Sequence, residues 1–288
     1  MRVFLTGATG FVGSAVAGEL TRRGHDVVGL ARSESSANAL SDAGLKVHRG
    51  NIADPESVTS ALSQVDAVIH TAFNHDFSQY VENCAADGRL LDALASALEG
   101  TDKTLIATSA TVVTGADDAV TEDDGAIDLI PRSASEAFLS YSERGVQTGV
   151  VRLPPSVHGP GDTAFVPALI ALARDRGVSG YIGDGGNRWP AVHRDDAARL
   201  FCEALERPRP GARYHAVAES GMAFREIAEA IGNVLGVPAE SVPRDQAEAH
   251  FGWLAIFAGL DNPASSDWTR AATGWAPREA GLLRDMRD

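Results

Sequence analysis

The chain of 288 residues is 44% hydrophobic and carries a formal net charge of -14 at pH 7. That apolar content supports a sizeable core and excludes wholesale disorder. The acidic balance, with basic residues scattered among acidic ones, excludes a nucleic-acid binder and a partner for anionic membrane surfaces.

Strand and helix patterns alternate through the first half. Arg2 to Leu5 reads as a short buried strand, and Phe11 to Arg23 as a helix stopped by Gly24 at its C-terminal cap. Asp26 to Ala31 is the next apolar run, Ser35 to Ala43 is helical, and Lys46 to Arg49 is a short strand. Pro55 to Leu62 is helical, with Asp54 as N-cap and Pro55 at the first helical position. Val65 to His70 is a strand, Val81 to Leu98 a long helix and Thr104 to Thr108 a strand. A helix over Arg132 to Arg144 and a strand over Thr148 to Leu153 complete the series. This order predicts an α/β fold, a doubly wound Rossmann parallel sheet with helices on both faces.

Past about residue 155 the rhythm changes. Pro154-Pro155, Gly159-Pro160-Gly161 and Gly183-Asp184-Gly185-Gly186 punctuate it, and helices are predicted at 165–176, 195–206 and 223–235. The expected division is a nucleotide-binding Rossmann domain over 1–155 and a smaller, mainly substrate-binding lobe over 156–288, with some segments returning to the Rossmann core. Cys84 and Cys202 stand far apart, so they read as buried thiols, with no disulfide framework and no metal site. The apolar run at Met1 to Leu5 is too short for a signal peptide. No stretch approaches the roughly 20 apolar residues of a membrane span. A cytoplasmic protein is expected.

The chemistry-bearing motif is Gly7-Ala8-Thr9-Gly10-Phe11-Val12-Gly13, directly after the first strand and opening the first helix. A dinucleotide diphosphate needs a tight turn, a bare stretch of backbone and a helix N-terminus aimed at it. Gly7 makes the turn, Gly10 removes the Cβ between backbone and phosphate, and Gly13 lets the helix approach the sheet. Thr9, Phe11 and Val12 complete the expected contact set.

This glycine spacing, with Thr6 before it, resembles the extended short-chain dehydrogenase/reductase superfamily. Four further segments follow in the family's order. Val65 to Ala72 looks like its fourth strand and cofactor-contact turn. Thr108 to Val112 looks like its serine strand, Val151 to Gly161 is similar to its turn after the sixth strand, and Trp189 to Ala198 is similar to its late Val-His-x-Asp-Asp element. The resemblance implies cofactor contacts from Thr71, Ala72, Phe73 and Pro154. Gly50-Asn51-Ile52 resembles the adenine-contact loop, with Asn51 where an Asp is usual.

The end of the second strand meets the adenosine ribose, where a carboxylate favours NAD and an Arg accommodates the 2′-phosphate of NADP. Leu30-Ala31-Arg32-Ser33 offers no carboxylate. Arg32 and Ser33 therefore predict NADP rather than NAD.

The family's Tyr-x-x-x-Lys pair is absent. Four residues beyond Tyr80, Tyr141, Tyr181 and Tyr214 stand Cys84, Gly145, Gly185 and Ala218, and the two lysines, Lys46 and Lys103, lie outside the relevant helix. In one register Arg132 takes the Tyr position and Glu136 the Lys position. In the other, which is preferred, Asp128 takes the Tyr position and Arg132 the Lys position, leaving a cation beside the ribose. The sequence thus resembles an atypical, epimerase/dehydratase-like branch that has lost the pair. Ser109 matches the family's serine. Tyr141 lies nine residues after Arg132, roughly 900° around an α-helix, and reads as packing on the opposite face. His158, in the turn after the sixth strand, is the candidate proton donor, against a reading as a His bonded to backbone. His70 and His193 read as structural. His75 and Asp76 fall at the substrate mouth, with Phe165, Trp189 and Trp253 as candidate walls.

The function implied is an NADP-dependent oxidoreductase acting on a small or mid-sized carbonyl, with Ser109 on the substrate oxygen, Arg132 beside the ribose and His158 or water supplying the proton. A catalytically silent NADP(H)-sensing protein and a non-redox epimerase, isomerase or cyclase stand as alternatives. The expected partner is a small-molecule substrate, and the resemblance leaves a homodimer open.

Overall fold

The expected doubly wound α/β architecture is present in the computed structural model, which describes residues 1–113, 118–128 and 130–287. The strands of the first half are β1 (Arg2–Thr6), β2 (Asp26–Ala31), β3 (Lys46–Arg49), β4 (Ala67–His70), β5 (Thr104–Ala110) and β6 (Gln147–Leu153). Later come β7 (Ser156–His158), β8 (Ser179–Ile182), β9 (Arg188–His193), β10 (Ala212–His215), β11 (Glu219–Ala223) and β12 (Ala239–Val242). The main sheet has the order β10-β6-β5-β4-β1-β2-β3, and every neighbouring pair is parallel. The order reverses between β1 and β4, where Thr6 lies opposite His70. An open α/β sheet binds ligands at such a switch point, outside the carboxyl ends of its strands.

The helices are α1 (Phe11–Arg22), α2 (Glu34–Asp42), α3 (Pro55–Thr59), α4 (Tyr80–Ala97), α5 (Phe165–Arg176), α6 (Arg194–Glu206) and α7 (Phe224–Leu235), with shorter turns after them. Side-chain alternation along β1 supplies both faces of the sheet. Val3 and Leu5 join Val16 and Leu20 of α1 and Leu200 and Phe201 of α6 on one face. Phe4 turns the other way, onto Leu90, Leu91 and Leu94 of α4 and onto Phe138. Burying each such side chain contributes about 1.5–3 kcal/mol. A third core belongs to the lobe, where Trp189, Phe224, Ile227 and Phe251 pack together.

Two features differ from the sequence reading. The segment Pro131–Arg144 is a 3-10 helix instead of an α-helix, ending on Gly145 at φ +80°. Its serines favour the tighter coil: Ser135 and Ser140 turn their hydroxyls onto the carbonyls of Arg132 and Ala137, three residues back. The lobe also contains strands that were not predicted. Runs of three to six residues, such as Ser156–His158 and Arg188–His193, lie among Pro and Gly and carry too few residues to show a period. Among the lobe segments, β10 returns to the main sheet beside β6, and α6 packs alongside α1.

Candidate active site

The site starts at the glycine loop. Gly7 adopts φ +74°, and a Cβ there would stand 2.7 Å from the amide nitrogen of Ala72. A Cβ on Gly13 would lie 2.0 Å from the Gly7 carbonyl oxygen, so this glycine serves the packing of the helix on the turn itself. Gly10 is the N-cap of α1 and supplies no side-chain hydrogen bond to the helix. The first-turn amides of α1 are thus left without the cap that helices ordinarily carry, and they face the switch point. Thr9 and Gly10 are exposed, and Phe11 and Val12 half-buried. Thr71 donates its hydroxyl to the Thr6 carbonyl at 2.8 Å, which fixes the turn Thr71-Ala72-Phe73 against the loop. This cradle fits a dinucleotide diphosphate.

The ribose end is built differently from the sequence expectation in one respect. Arg32 is exposed and makes no side-chain hydrogen bond or ion pair among the described residues. Ser33, however, caps α2: its Oγ accepts from the amide of Ser36 at 3.2 Å and lies 2.9 Å from the Ser36 hydroxyl. Beside it stands Arg49, which sequence reasoning missed. Its guanidinium donates to the Ser33 carbonyl at 3.0 Å and pairs with Glu34 at 2.6 Å. Only the register of β3 on β2, with Arg49 opposite Ala31, brings it here. Asn51 is exposed, with its Oδ1 accepting from the Ala53 amide, and Ile52 is half-buried against the sheet.

A buried polar chain runs behind the cofactor turn. Arg132 donates to Asp87 at 2.8 Å and to the Thr108 carbonyl at 2.8 Å, and its guanidinium lies 4.2 Å above the Phe73 ring. The other Asp87 oxygen lies 2.9 Å from His70 Nε2, and His70 Nδ1 is 2.8 Å from Thr6 Oγ1. Burial alone would raise the Asp87 carboxyl, but the Arg132 charge and the His70 hydrogen bond outweigh it and hold it below the ordinary value. An ionised Asp87 sets the His70 tautomer: Nε2–H donates to it, and Nδ1 accepts from Thr6. Thr6 Oγ1 in turn accepts from the Ala72 amide. The sequence signal for Asp87 was an acid on the apolar stripe of α4, in line with Cys84, Leu90, Leu91 and Leu94.

Ser109 is buried, opposite Arg152 in the register, and its hydroxyl lies 2.9 Å from that of Ser135. On the same face Glu136 accepts from Arg152 at 2.7 and 2.8 Å and from Arg213 at 3.0 Å. Burial opposes ionisation of Glu136, yet the Arg152 and Arg213 contacts and the Ser109 hydroxyl pull its carboxyl below the ordinary range. Asp128 is exposed.

Three of the four tyrosines are engaged away from the cofactor turn, and Tyr80 lies beside it, with its ring 6.4 Å from that of Phe73 and stacked on Phe77. Tyr141 donates to Asp92 at 2.8 Å, Tyr181 accepts from Arg225 at 3.0 Å, and the Tyr214 hydroxyl accepts from the Arg209 amide at 3.1 Å. Burial pushes the Tyr80 hydroxyl up to about 12, with Cys84 adding to the rise. In the 3-10 helix three residues complete a turn, so Tyr141 shares the azimuth of Arg132 instead of opposing it. Its role in packing follows from distance, about 18 Å along the axis at 2.0 Å per residue.

His158 is buried. Its Nδ1 lies 2.8 Å from an Asp285 oxygen in the last helical turn, and its Nε2 has no hydrogen-bond partner among the described residues. His193 sits opposite in the register, its ring edge-on at 5.5 Å, and caps α6 by accepting from the Asp195 amide. Pro154 is buried at the end of β6.

An aromatic wall lies between the turn after β4 and the lobe. Phe77 stacks on Trp253 with ring centroids 5.2 Å apart, and Phe165 lies 4.6 Å from Phe257. Trp253 is 52% exposed, whereas Trp189 is fully buried and donates to the Phe257 carbonyl. Next to Phe73, His75 lies 5.3 Å away. Both cysteines are buried, and burial pushes Cys202 up to about 12. Among the described residues no cluster of three His, Cys, Asp or Glu could hold a metal ion, and no helix is long and apolar enough to cross a membrane.

The model of the NAD dependent epimerase/dehydratase family matches residues 3–218. The chain is 46% identical to an uncharacterized protein of Schizosaccharomyces pombe, over 99% of this chain and 98% of that one. It is 31% identical to a 2-alkyl-3-oxoalkanoate reductase of Stenotrophomonas maltophilia, over 74% of this chain and 67% of that one. Among solved structures, a dTDP-glucose 4,6-dehydratase from Streptomyces venezuelae with NAD bound gives a TM-score of 0.80 at 20% identity, over 100% of this chain and 96% of that one, a likeness of fold.

Proposed function

The chain belongs to the NAD-dependent epimerase/dehydratase family, and from that membership we propose that it is an NADP-dependent oxidoreductase acting on a carbonyl compound with an apolar carbon skeleton. Bound NADP(H) would supply the hydride chemistry. The residues of the chain bind, orient and manage the proton. The first-turn amides of α1, left uncapped by Gly10 on the tight turn that Gly7 and Gly13 allow, hold the diphosphate, and Arg32 with Arg49 takes the 2′-phosphate. The turn Thr71-Ala72-Phe73, Pro154, Asn51 and Ile52 line the remainder. Arg132 holds that turn from behind, stacked on Phe73 and anchored to Asp87. Ser109 hydrogen-bonds the substrate oxygen, and His158 moves a proton at that oxygen.

The observation that carries this reading is His158 Nε2: a buried, unpartnered nitrogen on a ring whose other nitrogen is held by a carboxylate. Asp285 holds the ring through Nδ1, which leaves Nε2 as the atom to exchange a proton where the family's Tyr is lost. The aromatic wall of Phe77, Phe165, Trp253 and Phe257 supports an apolar substrate, in keeping with the 2-alkyl-3-oxoalkanoate reductase among the relatives. Steady-state consumption of NADPH against aldehydes and ketones of increasing apolar size tests it, and substrate-independent rates throughout would refute it.

A silent NADP(H)-sensing protein is the second reading, favoured by the engagement of Tyr141, Tyr181 and Tyr214 away from the cofactor turn. It predicts tight cofactor binding with no turnover.

A further inference from the structure

We propose that Arg194, presented by the lobe, is a second cationic hold on the diphosphate of the cofactor; the inference rests on the dinucleotide reading above. Arg194 is the first residue of α6, directly after β9. Because α6 packs alongside α1, the two helix N-termini lie close together, and the Arg194 guanidinium carbon stands 5.3 Å from the Phe11 ring centroid. Phe11 opens α1 and contributes one of the uncapped amides of the phosphate cradle.

The charge on Arg194 lacks a committed partner. Its Nε is buried and donates to no hydrogen-bond partner among the described residues, and the nearest carboxylate is its own neighbour Asp195, at 3.5 Å. Nearby arginines are engaged: Arg188 donates two hydrogen bonds to the Asp261 carboxylate, and Arg199 pairs with Asp196 and Glu279. The Arg194 side chain is only 27% exposed, so its position costs solvation that no carboxylate repays in full.

The turn after β7 wraps the stem. Gly159 has φ +136°, and a Cβ there would meet His193 Nε2 at 2.8 Å and Arg194 Cγ at 3.3 Å. Gly161 has φ +86°, with its Cβ direction 3.8 Å from Arg194 Nη1. Two left-handed glycines thus leave room for a guanidinium beside the phosphate loop. A doubly charged diphosphate supplies the missing acceptors, and charge-assisted bonds to phosphate are about twice as strong as neutral ones.

Calorimetric titration of the intact chain with NADP+ and NAD+ tests the assignment, because both carry the same diphosphate. Arg194→Gln should weaken both by a common factor of about tenfold or more, the value of a lost charge-assisted bond, and flatten the dependence of affinity on salt. Arg194→Lys, which keeps the charge, should fall between and covers the case in which Arg194→Gln does not fold. Unchanged binding in both variants, or a loss confined to NADP+, would overturn the role of Arg194 and leave the dinucleotide reading standing. A folded wild-type chain that binds neither cofactor would overturn both.

Discussion

His158 Nδ1 and Asp285 Oδ2 lie 2.8 Å apart, which ties the end of β7 to the last helical turn of the chain across 127 residues of sequence. If this pair manages the proton, His158→Gln should lower kcat by about 10²–10⁴ with little change in cofactor affinity. Asp285→Asn should give a smaller fall in kcat, since the ring loses the carboxylate that holds Nδ1. A purely structural pair would lower the melting temperature and leave kcat of the folded protein in place.

The ribose end predicts cofactor preference. Arg32→Gln should weaken NADPH by about tenfold or more and leave NADH unchanged, as the proposed contact of Arg32 with the 2′-phosphate requires. Arg49→Gln should act in the same direction, and less, since Arg49 already pairs with Glu34. Equal losses for both cofactors would place the effect elsewhere.

Glycines give a paired test of the loop. A Cβ on Gly13 would stand 2.0 Å from the Gly7 oxygen, whereas one on Gly18, in the same helix, meets nothing within 4 Å. Gly13→Ala should abolish cofactor binding and destabilise by about 1–3 kcal/mol or more. Gly18→Ala should bind normally and melt slightly higher, by about 1 kcal/mol of helix propensity. Thermal melting with and without NADPH separates them.

Acid should unfold the chain through its buried carboxylates. Asp87 and Glu136 are held below their ordinary values, so the folded state binds fewer protons than the unfolded one. Their stabilisation is complete above the unfolded carboxyl range near ~4 and is lost as the pH falls through the lowered folded values. Removing one partner of a buried pair costs about 3–5 kcal/mol. Glu136→Gln, which leaves Arg152 unpaired, should therefore lower the melting temperature at neutral pH and make melting less dependent on pH below ~4. A parallel downward shift with undiminished acid dependence would contradict this.

The parts of the site that lie close in sequence were legible there. Gly7, Gly10 and Gly13 sit between one strand and one helix, so a single local pattern carries their meaning, and Gly24 marks the helix end in the same way. Arg49 and Asp285 were not legible, because sheet register and lobe docking bring them in from a distance. Ser33 was read as a phosphate donor, although the same residue and spacing, with Ser36 three positions on, also build a capping box. Tyr141 shows how an assumed period misleads. The 3-10 coil put it on the azimuth of Arg132, and only length along the axis keeps it away.

The most direct test is a calorimetric titration of the folded chain with NADPH and, separately, NADH. Saturable binding of one NADPH per chain, tighter than NADH, is the result expected from the bared amides of α1 and the exposed guanidinium of Arg32. An intact fold that takes up neither would contradict it.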